Sequence, residues 1–284
     1  MRELAIGLLH PGEMGAAMGA ALTGLGRTVC WASESRGPAT AARARQAGLT
    51  DARSATELAQ RSDVVLSICP PHAAVEVARS VTGAAPGGFR GVFVDANAIS
   101  PATARTVAGI VEAGGASYVD GGIIGLPPGQ ADGTRLYLSG ARAGEIRNLF
   151  AGTSVDARVV DGAAWAASAV KMAYAAWTKG TAALLLAARA LAEAEGVTDA
   201  LLTEWAVSQP DLADRTRSAA RSTAAKGWRW VAEMEEIAAS MAAAGLPAGF
   251  HQAAAEVFRS QPRQAAADAA TVEQVIAALL AAAR

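Results

Sequence analysis

The chain has 284 residues, 52% hydrophobic and 18% charged, and its 25 Lys and Arg against 26 Asp and Glu leave a formal net charge of -1. That length suits one large domain or two ordinary ones with ample core, and the composition excludes a disordered chain. A nearly neutral chain has no long-range attraction to nucleic acid or an anionic membrane, so small molecules are the expected partners and any anion must be held by a local site.

The segment from Glu3 to Gly26, ELAIGLLHPGEMGAAMGAALTGLG, reads as an apolar strand over Leu4 to Leu9, a glycine turn, and an Ala-rich helix that starts at the turn. Gly7, Gly12 and Gly15 offer a tight turn, a close backbone approach to a pyrophosphate, and close helix packing, which together outline a dinucleotide site. The phosphates would face Gly12, Glu13 and Met14 at the helix N-terminus, where free N–H groups favour negative charge. Leu8, Leu9, His10 and Pro11 separate the first two glycines where the usual pattern has one residue, and His10 is placed to touch phosphate or to fill the loop. The strand begins almost at once, leaving no room for a signal peptide, so a cytoplasmic protein is expected.

Further strands are expected at Thr28 to Ala32, Asp63 to Cys69, Gly91 to Ala96, Ser117 to Asp120, Arg135 to Ser139 and Arg158 to Val160, alternating with helical patterns such as the one opened by the Ser100-Pro101 cap. The nearly continuous apolar runs predict parallel strands covered on both faces. The strand ending at Ala32 leads into Ser33-Glu34-Ser35-Arg36. Glu34 would suit the ribose of NAD, whereas Ser33 and Arg36 would suit the extra phosphate of NADP, and NADP is favoured. Two more strand ends point to the same crevice: Cys69-Pro70-Pro71 as a rigid wall, and Asp95 through Pro101, whose Asn97 suits a nicotinamide ribose. Cys30 and Cys69, in strands flanking the first, should stand about 9 to 10 Å apart by strand spacing. That is beyond disulfide reach, so two buried free thiols are expected.

After Asp161 the pattern turns wholly helical. A long helix is predicted from Ala163 to Ala194, ended by Gly196, with later breaks near Gln209-Pro210, Gly227, Gly245-Leu246-Pro247 and Gln261-Pro262. Lys171, Lys179 and Arg189 argue against a membrane span for the long helix. Trp165, Trp177, Trp205, Trp228 and Trp230 read as core or interface anchors. On the long helix Lys171, Ala175, Thr178 and Ala182 share one face, with Tyr174 and Lys179 beside it. A lysine on so small and apolar a face needs a partner. In a desolvated cleft its pKa would fall, making it a proton donor or acceptor. No metal-ligand spacing and no nucleophile elbow is present.

These residues resemble the β-hydroxyacid dehydrogenase and 6-phosphogluconate dehydrogenase-like superfamily over essentially the whole chain. Gly12-Glu13-Met14-Gly15 resembles its G-x-M-G segment, and Val94-Asp95 through Pro101 its fifth-strand segment. Asp120-Gly121-Gly122-Ile123-Ile124-Gly125 stands at its substrate loop, and Lys171 at its catalytic lysine. The helical half is similar to the branch with an NAD-binding phosphogluconate dehydrogenase-type C-terminal domain. The resemblance implies an α/β Rossmann N-terminal domain (residues 1–160) followed by an all-α C-terminal domain (161–284) for substrate and dimerisation. It also implies a homodimer, and substrate contacts from Gly122, Ile123, Ile124 and Gly125. Two positions depart from the pattern, with Ile124 where the family has Ser and Ala175 where it has Asn. The GGIIGLP stretch is similar to imine reductases, which use NADPH. Three functions follow as expectations: an NADP-dependent oxidoreductase acting on a carbonyl or hydroxy substrate through Lys171, an NADPH-dependent imine reductase, or a non-catalytic NADP-binding sensor or assembly protein.

Overall fold

The structure, a computed structural model, describes residues 4–83, 88–130, 133–261 and 270–282. Residues up to Met172 form one compact unit, and those from Ala173 onward form a second.

The first unit is an eight-stranded sheet in the order β3-β2-β1-β4-β5-β6-β7-β8. Its strands are β1 (Ile6–Leu9), β2 (Val29–Trp31), β3 (Thr50–Asp51), β4 (Val64–Ser67), β5 (Val92–Asp95), β6 (Ser117–Ile124), β7 (Thr134–Ser139) and β8 (Val155–Val159). Between them run α1 (Glu13–Thr23), α2 (Pro38–Gln46), α3 (Ala55–Arg61), α4 (Ala74–Thr82), α5 (Pro101–Ala113) and α6 (Ala143–Leu149). Strand residues alternate between two cores. Ile6, Leu8, Val64, Leu66, Val92 and Val94 pack with Met18 and Leu22 of α1. Val65 and Phe93 face the opposite way, with Leu58 of α3 and Val107 of α5. This two-sided burial explains the continuous apolar runs. The order reverses at β1 and β4, the switch point at which such sheets open a crevice.

Several expectations are corrected. β7 runs antiparallel to β6, because a short return past Gly125 (φ +115°) and Gly133 (φ +95°) replaces a crossover helix. β3, two exposed residues, carried no apolar signal. β6 continues through Ile124, so the expected substrate loop is mostly strand. β4 stops at Ser67, which leaves Cys69 outside the sheet and half-buried, whereas Cys30 is fully buried; both are free thiols.

The second unit is helical. It contains most of α7 (Ala166–Ala194), then α8 (Thr198–Ser208), α9 (Leu212–Ala243), α10 (Gly249–Arg259) and α11 (Val272–Ala282). Gly196 ends α7 region at φ +69°, and the breaks at Pro210 and at Gly245 to Pro247 occur as expected. Gly227 breaks nothing: it is buried within α9, where a Cβ would stand 3.1 Å from Thr223 and 3.8 Å from Phe258 of α10. The break expected at Gln261-Pro262 reaches Pro262, outside the described residues. Trp177 is 69% exposed and Trp228 is also exposed, so neither is a core anchor, while Trp230 meets Phe258 edge-on at 5.1 Å. Among the described residues no helix is long and apolar enough to cross a membrane.

Candidate active site at the sheet's switch point

Strand register places Leu9, Ser67, Asp95, Asp120 and Ser139 side by side across β1, β4, β5, β6 and β7. The last four are buried polar residues beside strand positions that are mostly apolar in β1, β4 and β5. Buried polar groups need partners, and here the partners are the segments that follow the strands.

Asp120 takes hold of α7. Its Oδ2 accepts from the Ser168 backbone N–H at 2.8 Å and from Ser139 Oγ at 3.1 Å, and its Oδ1 accepts from Ser168 Oγ at 2.6 Å and from the Tyr118 hydroxyl at 3.5 Å. Ser139 Oγ in turn accepts from the Ala167 N–H at 3.0 Å. Two orphan N–H groups of the first turn are thereby satisfied, and a negative charge sits where the helix dipole favours it. Burial pushes the Asp120 carboxyl above its ordinary pKa, against the pull of Ser168, Ser139 and Tyr118. Burial and the two aspartates push the Tyr118 phenol well up, which keeps it protonated as a donor.

One turn after Ser168, Lys171 Nζ donates to the Ile123 carbonyl at 2.8 Å. Asp120 and Ile123 thus hold Ser168 and Lys171 in two parallel ties between one strand and one helix. Glycine makes the approach feasible. A Cβ at Gly122 would stand 2.9 Å from both the Ala167 carbonyl oxygen and Lys171 Cβ, and one at Gly121 would stand 2.9 Å from the Asp95 carbonyl oxygen. Ile123 and Ile124 are both buried in the strand. The Ile123 carbonyl is one acceptor for the Lys171 ammonium. Tyr174 and Thr178 lie in the second unit, both exposed, with Thr178 Oγ1 donating to the Tyr174 carbonyl of its own helix at 3.1 Å.

At the nucleotide turn, the Gly12 N–H donates to the His10 carbonyl at 2.8 Å. Gly12 caps α1 without a side-chain bond, and nothing lies within 4 Å of where its Cβ would be. Ser54 and Ser100, by contrast, cap α3 and α5 with their own oxygens. The first N–H groups of α1, at Glu13, Met14 and Gly15, therefore have no cap from the Gly12 side chain and face an open cradle, which fits a pyrophosphate. A Cβ at Gly15 would fall 2.2 Å from the His10 carbonyl oxygen, so this glycine seats the helix on the turn. Gly7 does not form the turn. It lies inside β1, where a Cβ would strike Leu58 and Ser62, and its neighbour Leu8 is core.

Arg36 reaches towards the same turn, since its charge acts on both His10 and Cys69. Burial first and Arg36 second push His10 down to about 4, so it is neutral at pH 7. Burial chiefly pushes the Cys69 thiol up to about 12, which removes it as a nucleophile. Ser33 is half-buried, and its carbonyl accepts from the Arg36 N–H at 3.0 Å. Asn97 is 3% exposed. Its Oδ1 accepts from the Cys69 N–H at 2.5 Å and its Nδ2 donates to Ser67 Oγ at 3.1 Å. Both ends of the amide tie the wall of Cys69 and Pro70 to the sheet.

Sequence reasoning missed Arg43, whose Nε donates to the Pro11 carbonyl at 3.2 Å and holds α2 to the nucleotide turn. It also missed the set of Ser67, Asp120, Ser139 and Ser168. The available signal was a run of strands that each carry a polar residue at or near the carboxyl end.

The NAD binding domain of 6-phosphogluconate dehydrogenase matches residues 5–176. The chain belongs to that family, one of NAD-binding dehydrogenases. A domain of unknown function (DUF1932) matches residues 192–261. A curated 28.5 kDa protein of Methanothermus fervidus, from the 7S RNA 5′ region, is 28% identical over 160 residues, which is 56% of this chain and 59% of that protein. The match therefore spans about three fifths of the relative's length. Among solved structures, a conserved hypothetical protein from Sinorhizobium meliloti is 26% identical with a TM-score of 0.71, covering 99% of this chain and 97% of that one. The 3-hydroxyisobutyrate dehydrogenase of Mycobacterium tuberculosis shares the fold at 23% identity, TM-score 0.67, with 98% and 99% coverage. A reductive aminase from Aspergillus terreus in complex with NADPH and ethyl levulinate shares it at 20% identity, TM-score 0.58, with 100% of both chains covered.

Two predictions follow from this geometry. Asp120→Ala strands buried donors and should cost about 2 to 4 kcal/mol in urea unfolding, with Asp120→Asn costing about 1 kcal/mol because it keeps an acceptor; an Ala variant as stable as the parent would contradict the tie. For His10, the unfolded side chain takes up its proton below about 6.5, whereas the folded one stays neutral down to about 4. The unfolded state then binds more protons in that window, so stability is lost as pH falls from 6.5 to 4, by on the order of 3 kcal/mol. His10→Gln should flatten this part of the urea midpoint-versus-pH curve, and an unchanged slope would count against it.

Proposed function

We propose that the protein is an NADP-dependent oxidoreductase that interconverts a small carbonyl compound and its alcohol. The observation that carries this reading is the placement of Lys171, held one turn beyond the Asp120 tie with its ammonium on the Ile123 carbonyl. When bound, the nicotinamide supplies or accepts the hydride. The α1 N-terminus at Gly12, Glu13 and Met14 holds the pyrophosphate, Ser33 and Arg36 hold the ribose phosphate, and Cys69 and Pro70 wall the ring. Lys171 Nζ gives a proton to the substrate oxygen as the carbon receives hydride, and takes it back in the reverse direction. Tyr174 and Thr178 assist as further hydroxyl groups. Gly122 lets α7 come close enough for Lys171 to reach the Ile123 carbonyl, and the substrate lies by the strand end from Gly122 to Gly125.

A second reading, reduction of a cyclic imine, draws support from Ile124 and Ala175. Both are buried and apolar, and neither offers a donor for a substrate carboxylate.

The protein acts as a homodimer in the cytoplasm in this account. Support for the dimer comes from α7, where Tyr174, Trp177, Leu184 and Leu191 recur at spacings of three and seven residues as an exposed apolar stripe. A second copy of the same helix would bury it.

Two experiments test the proposal. NADPH and NADH titrations with matched ketone, hydroxy-acid and imine panels should give tighter NADPH binding and ketone turnover, and Lys171→Met should bind NADPH normally yet lose about 10²- to 10⁴-fold in turnover. Near-normal turnover in that variant would remove Lys171 from the chemistry, imine-only activity would reverse the two readings, and tight binding without turnover would leave a non-catalytic NADP-binding protein. Light scattering should report a dimer for the parent and a monomer for Leu184→Glu with Leu191→Glu; a dimer in both would place the interface elsewhere.

A further inference from the structure

Within the second unit, a cavity of about 360 Å³ opens among α7, α8, α9 and the start of α11. Three arginines line it, namely Arg189 of α7 and Arg217 and Arg221, one turn apart on α9. Arg189 is only 6% exposed, and its Nε is buried with no hydrogen-bond partner among the described residues. A guanidinium N–H buried without an acceptor is costly, so its presence in the cavity wall points to an acceptor that enters the cavity.

The neighbouring acids do not cancel the charge. Asp214 pairs with Arg217. Glu273 is engaged by its own backbone N–H and by Thr271, and burial opposes while the Arg189 charge assists the lowering of its pKa. Among the described residues, these two carboxylates against three guanidinium groups leave one surplus positive charge. Leu202, Ala213 and Val272 form an apolar side to the same space.

We propose that this cavity binds a small oxyanion, a carboxylate or a phosphate, carrying a short apolar chain. The head group takes the Arg189 Nε–H together with the Arg221 fork, whose planar donors match two oxygens of either anion. The chain lies along Leu202 and Val272. The site is separate in composition from the nucleotide turn, as it uses none of the residues at Gly12 to Gly15 or at Arg36.

The test is arginine Nε–Hε NMR on the full chain with inorganic phosphate, butyl phosphate and pentanoate as probes, the Arg189 signal being assigned by its disappearance in Arg189→Lys. The Arg189 signal should move saturably with butyl phosphate or with pentanoate, and less with inorganic phosphate, which lacks the chain. Which of the first two saturates at lower concentration identifies the head group. Arg221→Gln should weaken that binding about tenfold. An Arg189 signal that stays fixed with all three probes, or a shift that Arg221→Gln leaves unaltered, would overturn the assignment. Should Arg189→Lys fail to fold, calorimetric titration of butyl phosphate and pentanoate into the parent and Arg221→Gln proteins decides the matter by the same tenfold criterion, and absence of heat in the parent overturns it.

Discussion

The Asp120 carboxylate joins a strand in the middle of the sheet to the first turn of a helix that begins more than forty residues later, and the position of Lys171 depends on it. A buried carboxylate is expensive unless its lone pairs are filled. Here backbone N–H, two serine hydroxyls and a phenol fill them. The cost of burial, visible in the raised carboxyl pKa, is offset by directional bonds that admit one placement of the helix. Glycine at 121 and 122 is the steric counterpart, because a side chain at either position would meet backbone.

The opposite side of the crevice is built on a different principle. Around Gly12 the chain withholds groups: no side-chain cap, no Cβ, and no charge on His10 at neutral pH. Positive charge comes instead from Arg36, at the end of the next strand, while Arg43 is spent on the Pro11 carbonyl and stiffens the turn. Asn97 stiffens the third wall in a similar way by joining the loops that follow β4 and β5. A rigid rim at a helix N-terminus that lacks a side-chain cap suits a phosphate-bearing ligand.

What was legible in the sequence follows from the range of the interactions involved. The glycine turn at Gly12 and Gly15 and α7 with its glycine stop rest on local residue types and occur near where they were expected, although Gly7 lies within β1 and α7 starts at Ala166. Lys171 was conspicuous because a lone cation on an alanine face contradicts the local pattern. The antiparallel β7 was hidden, since a buried strand looks apolar in either direction. The bonds of Asn97 to Cys69 and Ser67 were not legible because those partners lie in other elements, and spacing along the chain does not reveal them. Gly227 misled for the converse reason: a residue that weakens a helix locally was retained for the close passage of α10.

These threads meet at the carboxyl ends of β1, β4, β5 and β6, where the glycine turn and the lysine tied to Ile123 belong to one compact unit. A crystal structure of the protein with NADPH tests their union most directly. The account predicts pyrophosphate on the N–H groups of Glu13 and Met14, the ribose phosphate on Arg36, and the nicotinamide C4 facing Lys171 with space for one substrate carbon between them. A nicotinamide turned away from Lys171, or a pyrophosphate seated elsewhere than the Gly12 turn, would contradict it.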